Sequence, residues 1–542
     1  MSSLVIHHGL NKFLAKLRWP ITIALAAACL YLVFNIYATG QIAWAMGVLI
    51  LFVLGFYVYL SNKALSYRYL FPGLAGMAVF VAFPLLYTAQ IGFTNYSSAH
   101  LLSEDRVRAY LLEQATPDEA RTMDYTLHAD GNEFRIVLTS RSAAATSAAT
   151  SAATSTPIQY ASPSLALLSA RPPNQTTMLP LDQASFAVNA PLPLIEVLKH
   201  RHILMQLQLQ LPDKTRLNYT GVSEFGPLNP VWKITTDTGS DTSLATSPTT
   251  SLTLIESGDI YKPNRETGYF ENDKGVAMQP GFKVGVGFAN YARMISDPDF
   301  RGPFISIFIW TVMFSALTVL FTLALGMPLA VLLNWEALPY RTAYRTLLFL
   351  PYAVPAFISI LVFKGLFNQN FGEINTILQS LFGIKPAWFA DPTLAKIAIL
   401  IVNVWLGYPY IMILCSGLIK AIPADLYEAS SIAGASPLTN FFKITAPLII
   451  KPLAPLLITV FAFNFNNFVV IALLTDGRPD YLNTKLPAGT TDILVSYTYR
   501  IAFQDSGQNF GLAAAISTVI FFMVAALSMA NLKFAKINAE NK

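Results

Sequence analysis

The sequence predicts a polytopic α-helical membrane protein with eight transmembrane helices and a large β-rich insert after the third. Three observations predict this. Charged residues make up 12% of the 542-residue chain against 54% hydrophobic. Soluble domains run near a quarter charged, so the charges are too few to cover a globule of this size. Long runs contain no Asp, Glu, Lys or Arg at all, and about 20 such residues cross a bilayer as a helix that satisfies its own backbone groups. Finally, one long polar stretch interrupts these runs and alternates in hydrophobicity as strands do.

The net charge of +5 comes without the blocks of Lys and Arg that a nucleic-acid footprint needs, so no nucleic-acid partner is expected. Cys29 and Cys415 each lie in an apolar run, and the insert has no cysteine. Neither a disulfide framework nor a metal-ligand set can be built from them.

In chain order, Lys12, Lys16 and Arg18 precede the apolar stretch Ile21 to Tyr37. That resembles a signal peptide, but no small-residue cleavage pattern follows and a second apolar run starts at once, so the first span is retained. Spans are expected near 20–38, 42–60, 71–93, 303–333, 345–367, 395–419, 447–474 and 510–532. Pro84, Pro328, Pro351 and Pro355 fall in or at the ends of several, and mark kinks that neighbouring helices must cover. If eight spans alternate, the basic amino terminus, Lys63 and Arg68, Arg341 and Arg345, Lys420, Lys443 and Lys451, and the tail with Lys533, Lys536 and Lys542 share one side. The positive bias of cytoplasmic loops makes that side, and both termini, cytoplasmic.

The domains read as 1–93, the cytoplasmic amino terminus with three spans; 94–302, the polar insert; 303–532, the core of five spans with a cytoplasmic segment at about 423–446; and 533–542, a cytoplasmic tail. In the insert, Met205, Leu207, Leu209 and Leu211 alternate with glutamines ahead of a Pro212-Asp213-Lys214 turn, and Phe134, Ile136 and Leu138 alternate similarly. Both read as strands. The Thr-Ser-Ala-Ala tract from Ser142 to Thr156 and the Ser/Thr-rich stretch from Thr236 to Thr253 are expected to be disordered surface loops.

No catalytic constellation appears: no phosphate loop, no H-E-x-x-H, no clustered His, Cys or carboxylates. The chain is therefore not expected to be an enzyme. Span interiors are almost free of charge, with Lys364 near an end, which argues against a proton-coupled carrier. What the spans contain is amide. Val460, Phe463, Asn464 and Asn467 stand at i, i+3, i+4 and i+7 in the seventh span, and Asn403, Leu406, Gly407 and Tyr410 at the same spacing in the sixth, so each set shares a helical face. An aromatic beside amides suits a sugar, with its apolar ring face and hydroxyl edges. Interhelical amide bonds, common in membrane bundles, are the other reading, and spacing alone favours them.

Between those spans the chain reads Pro423-Ala-Asp425-Leu-Tyr-Glu428-Ala429-Ser430, then Gly434 and Ser436-Pro437. Asp425 and Glu428 resemble a capping box, Gly434 fits a helix end, and Ser436-Pro437 opens a second short helix. From the residues alone, this segment is either a docking knob or merely a capped turn.

Glu428-Ala429-Ser430, Gly434, Ile444 and Pro447 resemble the E-A-A…G…I-x-L-P signature of ABC-importer permeases. From about Phe304 to Lys533 the chain resembles the larger membrane subunit of maltose/maltodextrin importers. Carrying it are Leu350 to Pro355, Phe363 to Gln369, Trp405 to Tyr410, Phe461 to Phe468, Pro487 to Gly489 and Tyr497 to Phe503. The resemblance implies a permease subunit in a bacterial inner membrane that passes maltose or maltodextrin by alternating access. It implies as partners a second permease subunit, two copies of a cytoplasmic ATPase that holds ATP and Mg, a periplasmic maltose-binding protein and membrane lipid. This chain itself would hold no cofactor or metal. Glu428, Ala429, Ser430 and Gly434 would couple to the ATPase. Asn403, Leu406, Gly407, Tyr410, Phe463, Asn464 and Asn467 match sugar-contacting positions, so the sugar reading of both faces now outweighs the packing one. The insert would be periplasmic and immunoglobulin-like, and would contact the binding protein.

Three positions depart from the family pattern. Val460 replaces a small hydroxyl residue on the sugar face, Ala433 stands where Asp precedes the glycine, and Ala446 replaces Leu before Pro447. Two rivals remain at this stage: a permease for another oligosaccharide, and a membrane sensor with a periplasmic ligand-binding domain.

Overall fold

Apolar runs without charge become long helices here, and alternating segments become sheets. The computed structural model describes residues 2–131, 133–140, 158–166, 174–183, 189–236, 250–482, 484, 486–505 and 507–540. The chain forms two compact units, Met1–Thr94 with Gly287–Lys542, and Asn95–Val286.

The first unit is helical. Its helices include α1 (Ser2–Ala38), α2 (Ile42–Leu60), α3 (Tyr67–Gly92), α4 (Pro298–Asn334), α5 (Ala356–Leu366), α6 (Pro392–Ile419), α7 (Ala424–Ile432), α8 (Pro437–Phe465), α9 (Phe468–Leu474), α10 (Leu494–Phe503) and α11 (Phe510–Glu540). Among the described residues, seven helices are long and apolar enough to cross a membrane: α1, α2, α3, α4, α6, α8 and α11. The fifth expected span is not one helix. It is built from Arg341–Leu348, a turn at Leu350–Ala353, and α5. Pro355 forces its predecessor out of the helical region, and Val354 is extended at φ −109°, ψ 131°. The eleven residues of α5 rise only about 16 Å at 1.5 Å each, short of the hydrocarbon core.

Two further prolines are absorbed differently. In α3 the turn Ala78–Ala82 widens to a π-helix just before Pro84, and in α8 the turn Phe441–Thr445 does so just before Pro447. Proline removes an N–H and pushes on the carbonyl four residues back, and a π-bulge makes room for the ring without breaking the helix. The second expected short helix after Gly434 therefore runs on into the seventh span as α8.

That seventh span also ends early. α8 stops at Phe465, and α9 begins after Asn466 and Asn467. The side-chain amides of Asn464 and Asn466 donate to the carbonyls of Val460 and Ala462, so they compete with the backbone ladder where it frays.

The second unit is β-rich. Five strands from Trp232 to Met278 form an antiparallel meander around Trp232, Leu252, Tyr261 and Phe270. An eight-stranded sheet is centred on the hairpin of Met123–Asp130 with Glu133–Ser140. Ile136 and Leu138 are buried as the alternation implies. Leu207, Leu209 and Leu211 are buried too, but the strand is only Gln208–Gln210, and Met205 is exposed after a short helix at Arg201–Leu204. The Thr-Ser-Ala-Ala tract lies outside the described residues. The second Ser/Thr-rich stretch is not wholly loop. Its ends, Thr236 and Thr250 to Thr253, belong to paired strands with Ser251 and Leu252 buried, since Thr suits a half-buried pleated surface.

Candidate functional site

The two amide-bearing faces meet. Asn403, Leu406, Gly407 and Tyr410 from α6, Phe463 and Asn464 from α8, and Asn467 from the break before α9 line one cavity of about 550 Å³. Thr318 and Thr322 of α4 and Tyr352, Ala356 and Ile360 of the broken fifth segment complete much of its wall.

Asn403 is its hub. This side chain is 4% exposed, and a buried amide without partners is costly, so all of its hydrogens are placed. Its Nδ2 donates to Thr318 Oγ1 at 3.0 Å and to Asn464 Oδ1 at 2.7 Å. Its Oδ1 accepts from Asn467 Nδ2 at 3.0 Å. Asn467 lies beyond the helix break rather than at i+7 of one continuous helix, and it still reaches the same network because the chain turns there. The amides thus do bond between helices, tying α4, α6 and α8 together.

That network does not use up every group. An amide nitrogen carries two donors. Asn464 Nδ2 donates to the Val460 carbonyl at 2.9 Å, which commits one of them, and Asn467 Nδ2 has one in its bond to Asn403. One N–H of each amide is uncommitted among the described residues, while Asn403, with both committed, orients the others. Around these amides stand aromatic rings with open faces: Phe463 is 70% exposed, Tyr352 53% and Tyr410 40%. Such a wall pairs apolar ring faces with amide edges and carries no ionised group, which suits a neutral polyhydroxylated ligand.

Gly407 has a packing reason as well as a lining one. A Cβ there would meet Thr322 Cγ2 at 2.9 Å, so glycine lets α6 lie close against α4. Val460 presents only methyls, but its neighbour Thr459 lines the cavity with a hydroxyl that donates to Pro455 O. Sequence reasoning missed Thr318, Thr322 and Tyr352. A signal for the threonines exists, because Thr311, Ser315, Thr318 and Thr322 recur at helical spacing and all are buried.

At the other end of α6, the segment 423–446 forms an elbow. Asp425 and Glu428 make no capping box, since Pro423 is the N-cap of α7 and no side chain caps it. A Pro at that position offers no side-chain acceptor, and Asp425 is inside the first turn. Gly434 ends α7 at φ +74°, a conformation glycine adopts without a Cβ penalty. Ser436 caps α8 by accepting from Thr439 N at 3.2 Å. Ser430 turns inward, donating to Asn440 Oδ1, and Tyr427 OH bonds Thr445 Oγ1 at 2.9 Å. Both bonds brace α7 against α8. Glu428, Ala429 and Gly434 stay exposed, and Ile432 beside them is 89% exposed.

A second polar cluster lies between α9 and α11, in the loop that leads into α10 and in α10 itself. Asp492, fully buried, accepts from Arg500 Nη1 at 2.8 Å, Gly489 N at 2.8 Å and Ser496 Oγ at 2.8 Å. Arg500 Nη2 also reaches Asp480 at 2.6 Å. The loop is anchored on α4 by Trp310 Nε1 to Thr491 O and by Leu494 N to Thr311 Oγ1. A Cβ on Gly489 would lie 1.9 Å from Gly477 O, so this turn admits only glycine.

The chain is similar in sequence to known transport proteins. Residues 322–535 match the family described as binding-protein-dependent transport system inner membrane component. Residues 102–287 match the maltose transport system permease protein MalF P2 domain, and residues 16–63 the MalF N-terminal region with transmembrane helices. The chain is 45% identical over 532 residues to a maltose/maltodextrin transport system permease protein MalF of Yersinia pestis, covering 96% of this chain and 94% of that protein. It is 44% identical over 529 residues to the protein of that name from Escherichia coli K12, covering 96% and 97%. Among solved structures, a chain of a bacterial alginate ABC transporter aligns over 45% of this chain and 81% of its own length, at 22% identity and a TM-score of 0.39.

Proposed function

The chain belongs to the maltose/maltodextrin transport system permease family, and we propose that it is the sugar-conducting subunit of an ATP-driven importer, receiving maltose or maltodextrin in the cavity between α4, α6 and α8. The observation that carries this is convergence. Seven positions that the family resemblance implies as sugar contacts come from separate segments and line one uncharged cavity, with spare amide donors beside open aromatic rings. A few hydrogen bonds and stacking contacts hold a sugar weakly enough to release it, which transit requires.

In this reading a periplasmic sugar-binding protein delivers its cargo, the β-rich unit contacts it from the periplasm, and both chain termini are cytoplasmic. A second permease subunit and two copies of an ATPase complete the complex, and ATP and Mg sit in the ATPase. The elbow of α7 and α8 relays closure of the ATPase to the spans. Ser430, Tyr427 and Asn440 stiffen that elbow, while Glu428 and the exposed face around it meet the ATPase. Hydrolysis then resets the spans.

Two tests follow. Expressed with its partner subunits in a bacterium lacking its own maltose permease, this chain should restore uptake of labelled maltose. Uptake of a different oligosaccharide alone would keep the permease and discard maltose. Glu428→Lys should lower ATP-dependent uptake at least about fivefold, as the loss of a charged docking contact worth roughly 1 kcal/mol or more implies, with membrane insertion unchanged. Undiminished uptake in that variant removes Glu428 from the docking surface.

A further inference from the structure

The first 103 residues contain five basic side chains, Lys12, Lys16, Arg18, Lys63 and Arg68, and no acidic one; the first carboxylate of the chain is Glu104. These five make up the whole formal net charge, because the other 31 of the 36 basic residues are matched by 31 acidic ones. The charge is not spread along α1 to α3. α1 and α2 are joined by a short link and run antiparallel, so the segment before Ile21 and the link from Ser61 to Arg68 lie at one end of the hairpin.

At that same end α1, α2 and α3 enclose a crevice of about 450 Å³. Its wall runs from Tyr59 and Leu60 inward past Phe71, Gly55 and Ala75 to Cys29 and is apolar almost throughout. Gly55 matters to its shape: a Cβ there would press on the Phe71 ring at 3.2 Å, so glycine lets α3 close one side. Arg68 is held at the mouth, donating to Val58 O at 3.2 Å and Ser61 O at 3.2 Å. Those carbonyls end α2 and fix the guanidinium without neutralising it. Lys63, exposed, stands one turn away in the same link.

An apolar slot among membrane-spanning helices, with the cations Lys63 and Arg68 at one end, matches one kind of guest: an acyl chain carrying an anionic head. Clusters of Lys and Arg beside a span attract anionic lipid, and a slot beneath them converts that attraction into a site. We propose that the α1–α3 unit holds an anionic phospholipid, one acyl chain in the crevice and its phosphate against Arg68 and Lys63. A helix of another subunit would fill the apolar slot equally well, but it would give the cations no counterpart.

The test uses the intact transporter complex, purified in detergent, with its retained phospholipid quantified by mass spectrometry. Phosphatidylglycerol or cardiolipin should be enriched several-fold over its share of the source membrane. Lys63→Gln with Arg68→Gln should bring that enrichment down to the share of the membrane. Ala75→Leu, which fills the crevice and leaves every charge, should lose the retained lipid as well. Lipid retained in membrane proportions by the unaltered complex overturns the proposal, as does enrichment that survives both variants. Cross-linking of Cys29 to another subunit, without lipid enrichment, overturns it in favour of a protein occupant.

Discussion

Asn403→Ala should reduce maltose uptake at least about tenfold while the complex still assembles. The substitution removes three hydrogen bonds at once, to Thr318, Asn464 and Asn467. Interhelical side-chain bonds in membranes average about 0.6 kcal/mol each, and groups left buried and unpaired cost about 1–3 kcal/mol. Even the lower figure, taken three times, exceeds the 1.4 kcal/mol that corresponds to a tenfold change. Freed of the hub, the amides of Asn464 and Asn467 can rotate, so the cavity no longer presents them in a fixed direction. Initial rates of labelled maltose uptake, normalised to the amount of complex in the membrane, measure this. An unchanged rate would show that the amides only pack the helices, and that their orientation is irrelevant to transport.

Arg500→Met should be the most destabilising single change. It leaves the carboxylate of Asp492 fully buried without its cation, and breaking a buried pair from one side costs about 3–5 kcal/mol. Asp480, on the other side of the guanidinium, is 45% exposed and can turn to water. Adding Asp492→Asn to Arg500→Met removes the orphaned charge, so the double variant should recover part of the loss. Thermal unfolding of the purified complex reads both. Equal melting of Arg500→Met and the parent would mean that the pair does not hold the α9–α11 loop against α4.

The membrane architecture was legible because it depends on composition over long windows. Charge-free runs give the spans whatever their details, and the polar insert stands out by contrast. The two site faces were legible for a related reason: amides and aromatics recur at helical spacing in segments that otherwise hold only apolar residues. Local breaks were harder to read. Pro351 and Pro355 announce a kink, yet whether a proline kinks, breaks or is absorbed depends on room nearby, and the π-turns before Pro84 and Pro447 show the third outcome. The end of α8 follows from Asn side chains that bond their own helix, which periodicity does not register. Asp425 and Glu428 stand at capping-box spacing, yet the helix starts at Ala424, so Asp425 falls within its first turn. The Asp492–Arg500–Asp480 cluster joins polar residues from a loop and a short helix, where no period exists to reveal a shared site. Thr318 was visible in principle, since the hydroxyl stripe of α4 has the same spacing that exposed the amides.

Sugar-stimulated ATP hydrolysis tests the central claim most directly. The complex containing this chain, reconstituted in proteoliposomes with its binding protein, should hydrolyse ATP faster with maltose or maltotriose than with unrelated sugars. Asn464→Ala with Asn467→Ala removes the two spare donors of the cavity and should impair uptake while the complex stays assembled. Absence of any maltodextrin stimulation in the unaltered complex, or normal uptake in the double variant, would contradict passage of the sugar through this cavity.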